Sequence, residues 1–278
     1  MLADDLFYGT KKYHKRFGEL CEPLKQYLGI TTGAYINTNK DGERAGVNTN
    51  YKWIERYIEE SYFKQDPGMV HPDNMSSGFT FVSTSDDQEY KHTMLKDATQ
   101  NFNLHHGFCY VEKTGSDFTL FYFATHKDNH KIVNKVANEA VMVRKLIRNL
   151  HQQVLSEFKD LQDNKVDIFK LKGNLFVEQK GIVFNQPEET QQKIEILKHE
   201  GLIGRNCSDL EALKLTRQEI NCLRVYMDDC NLKNVARDLN IAFTTANSYI
   251  DNIKQKLNCS NKQELLKIAD ILAGLGKI

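Results

Sequence analysis

Apolar residues recur at two spacings along residues 1–161, a helical period of about 3.6 residues and a strand-like alternation. Segments of the two kinds follow one another, with turn-forming residues between them. This mixture predicts an α+β fold in which one sheet lies between helices, an α/β/α sandwich. The predicted helices cover residues 6–27, 52–62, 85–102 and 129–161, and the predicted strands cover 31–36, 79–82, 107–112 and 117–125.

From residue 215 to the end, the pattern changes to four short helical periods with tight turns between them. Thr216 and Glu219 have the spacing of a capping box, in which each side chain accepts a hydrogen bond from the other residue's backbone amide. The second and third periods, 231–239 and 243–257, are so close that their helices must cross steeply. We expect Asn240 to end the first of these helices with a left-handed backbone, and Thr244 or Thr245 to begin the second. Residues 215–278 are therefore predicted to form a small all-α helix-turn-helix domain, with one face of the third helix exposed.

Residues 162–214 give a weaker pattern, and we interpret them as a connector between the two domains. The run 168–177 predicts a small hairpin around Gly173-Asn174, because such a pair is typical of a tight turn. Residues 187–198 predict a helix with Pro187 in its first turn.

Composition excludes several classes of protein. The 278 residues carry 37 basic and 37 acidic side chains, so the formal net charge is +0. Residues 215–278 carry nine basic and seven acidic side chains, which gives this region +2 and the remainder −2. The chain has no apolar run of about 20 residues and no signal-like start, so we expect a cytoplasmic protein with no membrane partner. Its six cysteines include no C-x-x-C pair, which argues against a structural metal site.

Residues 215–271 resemble the LuxR-type helix-turn-helix domain along their whole length. The positions that carry the resemblance are Leu215, Thr216, Glu219, Leu223, Val235, Ala236, Leu239, Ile241, Thr245, Asn252, Ile253, Lys256, Leu257 and Ser260. The resemblance implies double-stranded DNA as a partner, with the third helix in the major groove. The implied DNA contacts are Thr244, Thr245, Asn247, Ser248, Lys254 and Lys256. The charge of only +2 leaves open a four-helix interaction module that does not bind DNA.

Trp53 and Tyr57 are four residues apart and therefore share one face of the predicted helix 52–62, and Asp66 follows nine residues after Tyr57. An indole N–H can only donate a hydrogen bond and an ionised carboxylate can only accept one, so together they could orient a ligand that contains an amide. Taken alone, this pattern is more typical of core packing and of a turn before Pro67.

The spacing of these residues resembles the acyl-homoserine-lactone-binding domain of quorum-sensing regulators over residues 10–160. The resemblance implies that Trp53 donates to the lactone carbonyl and that Asp66 accepts from the amide N–H. Phe81 stands where a tryptophan is usual, and Tyr51 lies two residues from the usual place of a tyrosine. The implied ligand-binding residues are Trp53, Tyr57, Asp66, Phe81, Tyr51 and Gly107.

Together, the two resemblances imply a LuxR-family transcription regulator. They imply a homodimer controlled by a small apolar signal, an acyl-homoserine lactone or a related molecule, with no cofactor. Phe81 and Phe123 leave open a ligand-independent regulator, whose N-terminal domain only dimerises or binds a protein. An enzyme is not expected, because His105-His106 has no acidic partner at metal spacing and no catalytic motif is present. The apolar stripe of helix 129–161 could form either the dimer contact or the core of its own domain.

Overall fold

The computed structural model describes residues 5–82, 87–114, 116–182, 215–257 and 259–274. The chain divides into two compact units, Met1–Phe184 and Asn185–Ile278. The first unit is built on a sheet with helices on both faces, and the described part of the second is entirely helical. The predicted α+β fold, with an α/β/α sandwich followed by a small all-α domain, is confirmed.

The sheet of the first unit has six strands in the order β3-β4-β5-β1-β2-β6, and every neighbouring pair is antiparallel. Its strands are β1 Ile30–Thr38, β2 Glu43–Asn48, β3 Gly78–Phe81, β4 His105–Thr114, β5 Asp117–Thr125 and β6 Val166–Asp167.

Nine helices of the first unit are described, some of them very short. They are α1 Tyr8–Leu20, α2 Glu22–Leu28, α3 Tyr51–Glu59, α4 Gln88–Tyr90, α5 Lys96–Phe102, α6 Ile132–Asn138, α7 Ala140–Glu157, α8 Ile168–Lys172 and α9 Leu175–Glu178. A π-helical turn, Lys91–Leu95, joins α4 to α5, and single 3₁₀ turns occur at Tyr62–Lys64, Pro72–Asn74 and Lys159–Leu161. Gly29 has a left-handed backbone (φ 69°) and ends α2, as its place in the sequence predicts.

The predicted helix 129–161 consists of two helices, α6 and α7, which are separated at Glu139 by a non-helical backbone (φ −118°, ψ 28°). Their apolar stripe packs against the sheet in the main core. The buried members of the stripe are Ile132, Val136, Val143, Ile147, Leu150 and Val154. Of the two interpretations of this stripe, the structure supports the core of its own domain.

Residues 162–182, predicted as the start of a connector, pack within the first unit. β6 extends the sheet beside β2, and Ile168 and Phe176 are fully buried in the cluster that contains Trp53. The predicted hairpin at 168–177 is wrong, because this run forms the helices α8 and α9. Asp167 begins α8 by accepting a hydrogen bond from the Lys170 amide at 3.3 Å. The helix predicted at 187–198 lies outside the described residues.

The second unit contains four described helices, close to the predicted bounds. They are α10 Arg217–Asp229, α11 Leu232–Asp238, α12 Phe243–Lys256 and α13 Lys262–Gly274. Both hydrogen bonds of the predicted capping box between Thr216 and Glu219 are present. The turn between α11 and α12 contains Asn240 with a left-handed backbone (φ 51°), as predicted. Val235, Ala246, Ile250 and Ile253 are buried in the core of this unit.

Candidate ligand cavity and DNA-contact helix

A cavity of about 130 Å³ lies between one face of the sheet and α3 in the first unit. The side chains that line it from the sheet include Ala34, Ile36, Arg44, Cys109, Leu120 and Tyr122. Its wall also includes residues from the start of α1, from α3 and from the segments 66–69, 90–98 and 161–166. One water occupies roughly 10–15 Å³ on this scale, so the cavity has room for a small molecule.

Trp53 lines the cavity from α3, where its backbone amide is held by the side chain of the N-cap residue Asn50 at 3.1 Å. Its ring is 4% exposed and lies among Tyr57, Tyr62 and Phe102 at centroid distances of 6.3, 5.9 and 5.1 Å. Among the described residues, the indole N–H has no hydrogen-bond acceptor. Trp53 can therefore donate to a molecule in the cavity.

Asp66 lies opposite the end of α3 and also lines the cavity. Its Oδ2 accepts the Tyr57 hydroxyl at 2.7 Å, and its Oδ1 accepts the Gly68 amide at 2.7 Å. Each carboxylate oxygen has two acceptor sites, so both can still accept a donor from a ligand. The structure thus brings Trp53, Tyr57 and Asp66 together at one cavity, as their spacing predicts.

Arg44 projects from β2 into the same cavity, although it is only 5% exposed. Its Nη1 donates to the Gly68 carbonyl at 2.8 Å and to Thr38 Oγ1 at 3.3 Å. No described carboxylate forms an ion pair with it, and its Nε and Nη2 have no acceptor among the described residues. Burial lowers the pKa of the guanidinium, and the nearby Tyr57 and Asp66 oppose that shift.

Lys172, in α8, supports the turn that carries Asp66 from the side away from the cavity. Its ammonium donates to the backbone carbonyls of Met69 at 2.7 Å and Asp66 at 3.3 Å, and to Gln179 Oε1 at 2.5 Å. Burial lowers its pKa to about 8, with a counteracting contribution from Asp66. This lysine therefore ties residues 172–179 to the ligand-facing turn.

Three tyrosines line the cavity, and burial raises the pKa of each. Tyr57, Tyr90 and Tyr122 therefore remain neutral phenols that can donate a hydrogen bond. The Tyr57 hydroxyl is used by Asp66, whereas those of Tyr90 and Tyr122 have no acceptor within the described ranges. The cavity thus offers several donors, and its lining includes two carboxylate residues, Asp66 and the exposed Asp5.

The prediction that Phe81 walls the ligand pocket is wrong. Phe81 pairs with Phe108 across β3 and β4, and both rings lie in the core on the opposite face of the sheet. Directly paired residues of an antiparallel sheet share a face, and successive residues of one strand point to opposite faces. Whether a residue lines the cavity or the opposite core therefore depends on its position in the strand to within one residue. Phe123 lies on that opposite face too, 5.3 Å from Phe108, and therefore does not fill the cavity.

Tyr51 and Gly107 do not line the cavity either. The Tyr51 ring lies 4.6 Å from Phe7 and 5.4 Å from His14, beside α1. Gly107 affects the cavity only through Tyr122. A Cβ at position 107 would come within 3.0 Å of the Tyr122 ring and 2.9 Å of Val82. Its lack of a side chain lets Tyr122 lie against β4.

Sequence analysis missed several residues that line the cavity, above all Arg44, Tyr90 and Tyr122. Both faces of β5 are apolar, so its alternation does not show which face Tyr122 belongs to. Arg44 could have been identified as a candidate site residue, because a charged residue inside a short, mostly buried strand requires a partner.

In the second unit, α12 begins without a side-chain cap. Its N-cap residue is Ala242, so the helix starts at Phe243, one or two residues before the predicted start at Thr244 or Thr245. Backbone amides of an uncapped first turn, together with nearby hydroxyls, form a site for an anion such as a phosphate. Thr244 is exposed and Thr245 is half-buried at this helix start.

The exposed face of α12 carries Asn247, Ser248 and Asp251. Asp251 accepts from Asn247 Nδ2 at 3.0 Å and from the Lys254 ammonium at 3.4 Å. Ser248 donates to the Thr244 carbonyl at 2.9 Å. The polar side chains predicted to contact DNA are therefore partly engaged with one another on the free helix.

Lys256, predicted to contact a phosphate, donates to the Glu219 carboxylate at 2.7 Å. Glu219 is 3% exposed and also closes the capping box of α10. Burial alone would raise the pKa of Glu219, but the hydrogen bonds from Lys256 and Thr216 lower it below its ordinary value. Lys256 thus links α12 to α10.

Comparison with known protein families identifies both units. The family described as autoinducer binding domain matches residues 15–152, and the family described as bacterial regulatory proteins, luxR family, matches residues 213–269. The chain combines an autoinducer-binding domain with a LuxR-type DNA-binding domain. As a LuxR-type protein, it is a ligand-sensing, DNA-binding regulator and not an enzyme, and its N-terminal domain is of a kind that binds small signals.

Two crystal structures of Escherichia coli SdiA align with this LuxR-type chain along most of their length. One is 14% identical with a TM-score of 0.34, and covers 96% of this chain and 94% of SdiA. The other, SdiA in complex with octanoyl-rac-glycerol, is 13% identical with a TM-score of 0.34, and the alignment covers 95% of this chain and 93% of that SdiA chain. Curated protein sequences give no match. No helix among the described residues is long and apolar enough to cross a membrane.

Proposed function

We propose that this LuxR-type regulator binds a small apolar signal in the cavity beside α3, and that the signal controls its binding to double-stranded DNA in the cytoplasm. The observation that carries this proposal is the meeting of a free indole N–H and a carboxylate acceptor at one cavity, from Trp53 and Asp66. An amide-containing molecule, such as an acyl-homoserine lactone, can accept from the first and donate to the second.

The ligand-independent alternative loses its main support. Phe81 and Phe123 left it open, and both rings lie on the other face of the sheet, away from the cavity. A cavity lined by polar groups without partners costs stability unless a ligand or water satisfies them.

DNA recognition is assigned to α12. Its uncapped first turn, with Thr244 and Thr245, would contact phosphates, and Asn247 and Ser248 would face the base edges. Lys254 and Lys256, in the last turn of α12, would add phosphate contacts. We propose a homodimer, because two-fold symmetry presents two such helices to the two halves of a pseudo-palindromic site.

The signal would act by linkage. A molecule that binds one arrangement of the protein better than another shifts the population toward the first by its difference in affinity. Lys172 joins the Asp66 turn to residues 172–179, which precede the second unit in the chain. Ligand contacts at Asp66 can therefore bias this segment.

Thermal unfolding of the full chain with N-octanoyl-homoserine lactone tests the binding site. At 100 times the dissociation constant, a ligand adds about 2.7 kcal/mol, which raises the melting temperature of a unit of this size by about 5 °C or more. Trp53→Phe and Asp66→Asn should each remove most of this shift, whereas Asp73→Asn, at a side chain 83% exposed, should retain it. A shift of equal size in all four proteins would contradict the assignment of the site.

A further inference from the structure

The polar end of the cavity is organised around one residue, Gly68. Its amide donates to Asp66 Oδ1 at 2.7 Å, and its carbonyl accepts from Arg44 Nη1 at 2.8 Å. A carboxylate acceptor and a guanidinium donor are therefore held on either side of the same turn. A ligand head group that reaches this turn faces both.

The charges at this turn do not balance. Asp66 carries one negative charge, whereas Arg44 and Lys172 each carry a positive charge at neutral pH. Lys172 is surrounded by three oxygen acceptors, and its ammonium is fully occupied by them. Arg44 has no ion-pair partner among the described residues, and it keeps Nε and Nη2 free of acceptors.

Asp66 is near enough to favour the charged form of Arg44 but makes no ion-pair contact with it. A buried guanidinium without such a contact is costly, and proteins normally pair the charge directly or bind an anion with it. One negative charge from a ligand would neutralise the turn. A carboxylate supplies that charge and matches the planar donor pair of a guanidinium. A phosphate carries nearly two negative charges and would leave the site negative.

We propose that the cavity binds an anionic N-acyl amino acid, with its carboxylate on Arg44, its amide N–H on Asp66, its amide carbonyl on Trp53 and its acyl chain among the apolar residues. This inference rests on the proposed function, because it names the chemistry of the signal at the same site. It differs from a neutral lactone in one feature, the charged head.

Three probes with the same acyl chain and amide isolate that feature. N-octanoyl-homoserine has a free carboxylate, N-octanoyl-homoserine lactone is its neutral ring-closed form, and the primary amide of N-octanoyl-homoserine is neutral and open. Their affinities for the full-length protein would be measured by calorimetry. We expect the acid to bind about 10-fold to 100-fold more tightly than either neutral probe, as one charge-assisted contact supplies.

Substitutions at Arg44 test whether its guanidinium causes the tighter binding of the acid. Arg44→Gln should lower the ratio of acid affinity to neutral-amide affinity to about one, and Arg44→Lys should keep part of the preference for the acid. Thermal unfolding of each variant without ligand verifies that it is folded. Should Arg44→Gln prove unfolded, the comparison of the acid with its neutral amide in the wild-type protein still decides the question.

The outcomes separate the inference from the proposed function. Wild-type protein that binds the lactone or the amide at least as tightly as the acid overturns the carboxylate inference and leaves the cavity as the signal site. A preference for the acid that survives Arg44→Gln also overturns it. Failure of all three probes to bind overturns the inference and the proposed ligand class together.

Discussion

The two units place their polar side chains in opposite environments. In the first unit, Arg44 and Trp53 are 5% and 4% exposed, and their free donors face a cavity. In the second, Asn247 and Asp251 are exposed on α12 and hydrogen-bond to each other. The proposed ligand site keeps donors without partners until a ligand binds, whereas the polar side chains on the proposed DNA-contact face are partly engaged with one another. Binding should therefore stabilise the first unit strongly and cost the second some side-chain contacts.

The largest expected change in stability comes from a substitution at Gly9 in α1, the helix whose start lines the cavity. A Cβ at Gly9 would lie 2.2 Å from the Gly46 carbonyl oxygen and 2.5 Å from Leu161. Gly9→Ala should therefore destabilise the first unit by about 1–3 kcal/mol, as overpacking does. Urea unfolding followed by the fluorescence of Trp53, the single tryptophan, measures this unit alone.

Gly18→Ala is the matched control in the same helix. A Cβ there meets only the Lys25 ammonium, at 4.0 Å. This change should stabilise the unit by about 0.5–1 kcal/mol, because alanine is the better helix former. Equal effects of the two substitutions would mean that α1 does not pack closely on β2.

In the second unit, a smaller effect is expected at the buried charge of Glu219. Glu219→Gln can keep the hydrogen bond to the Thr216 amide but loses the ion pair with Lys256. We expect a loss of about 1 kcal/mol at neutral pH, measured by amide hydrogen exchange of α10 and α12.

The pH dependence of this effect follows from the lowered pKa of Glu219. Its stabilising contribution is present above the ordinary value of 4.5 and is lost as the pH falls through its folded-state pKa. The difference between wild type and Glu219→Gln should therefore shrink in acid. A difference that stays constant from pH 7 to pH 3 would show that the carboxylate charge is not what stabilises the unit.

The smallest expected effect is on DNA binding. Asp251→Asn removes a negative charge from the DNA-facing surface and weakens the contact that holds Lys254. Non-specific affinity for duplex DNA should rise about threefold at 0.1 M salt, with a steeper salt dependence. Asp270→Asn, on α13, should leave both unchanged, and a fall in affinity with Asp251→Asn would contradict the proposed face of α12.

How much the sequence predicts differs between the two units for a physical reason. Helix caps and helical periods are local signals, so Thr216, Glu219 and Asn240 were placed from the sequence alone. Trp53 and Asp66 were also found, because they lie close together in the chain and share a recognisable spacing.

The rest of the sensing site depends on contacts between distant segments. Arg44, Tyr90 and Tyr122 meet only when the sheet forms, and a strand that is apolar on both faces does not reveal which face is which. The same ambiguity led to the prediction that Phe81 lines the cavity, whereas it lies on the opposite face of the sheet. At 168–177, the turn signal of Gly173-Asn174 outweighed the helix cap that Asp167 provides in the structure.

The central claim is that the cavity beside α3 holds a small signal molecule through Asp66 and Trp53. Mass spectrometry of the compounds released from the protein, purified from the cells that normally make it, tests this most directly. We predict one compound with an acyl chain and an amide, near one equivalent per chain in the wild type and absent from Asp66→Asn. Wild-type protein that releases no more of any compound than Asp66→Asn does would contradict the claim.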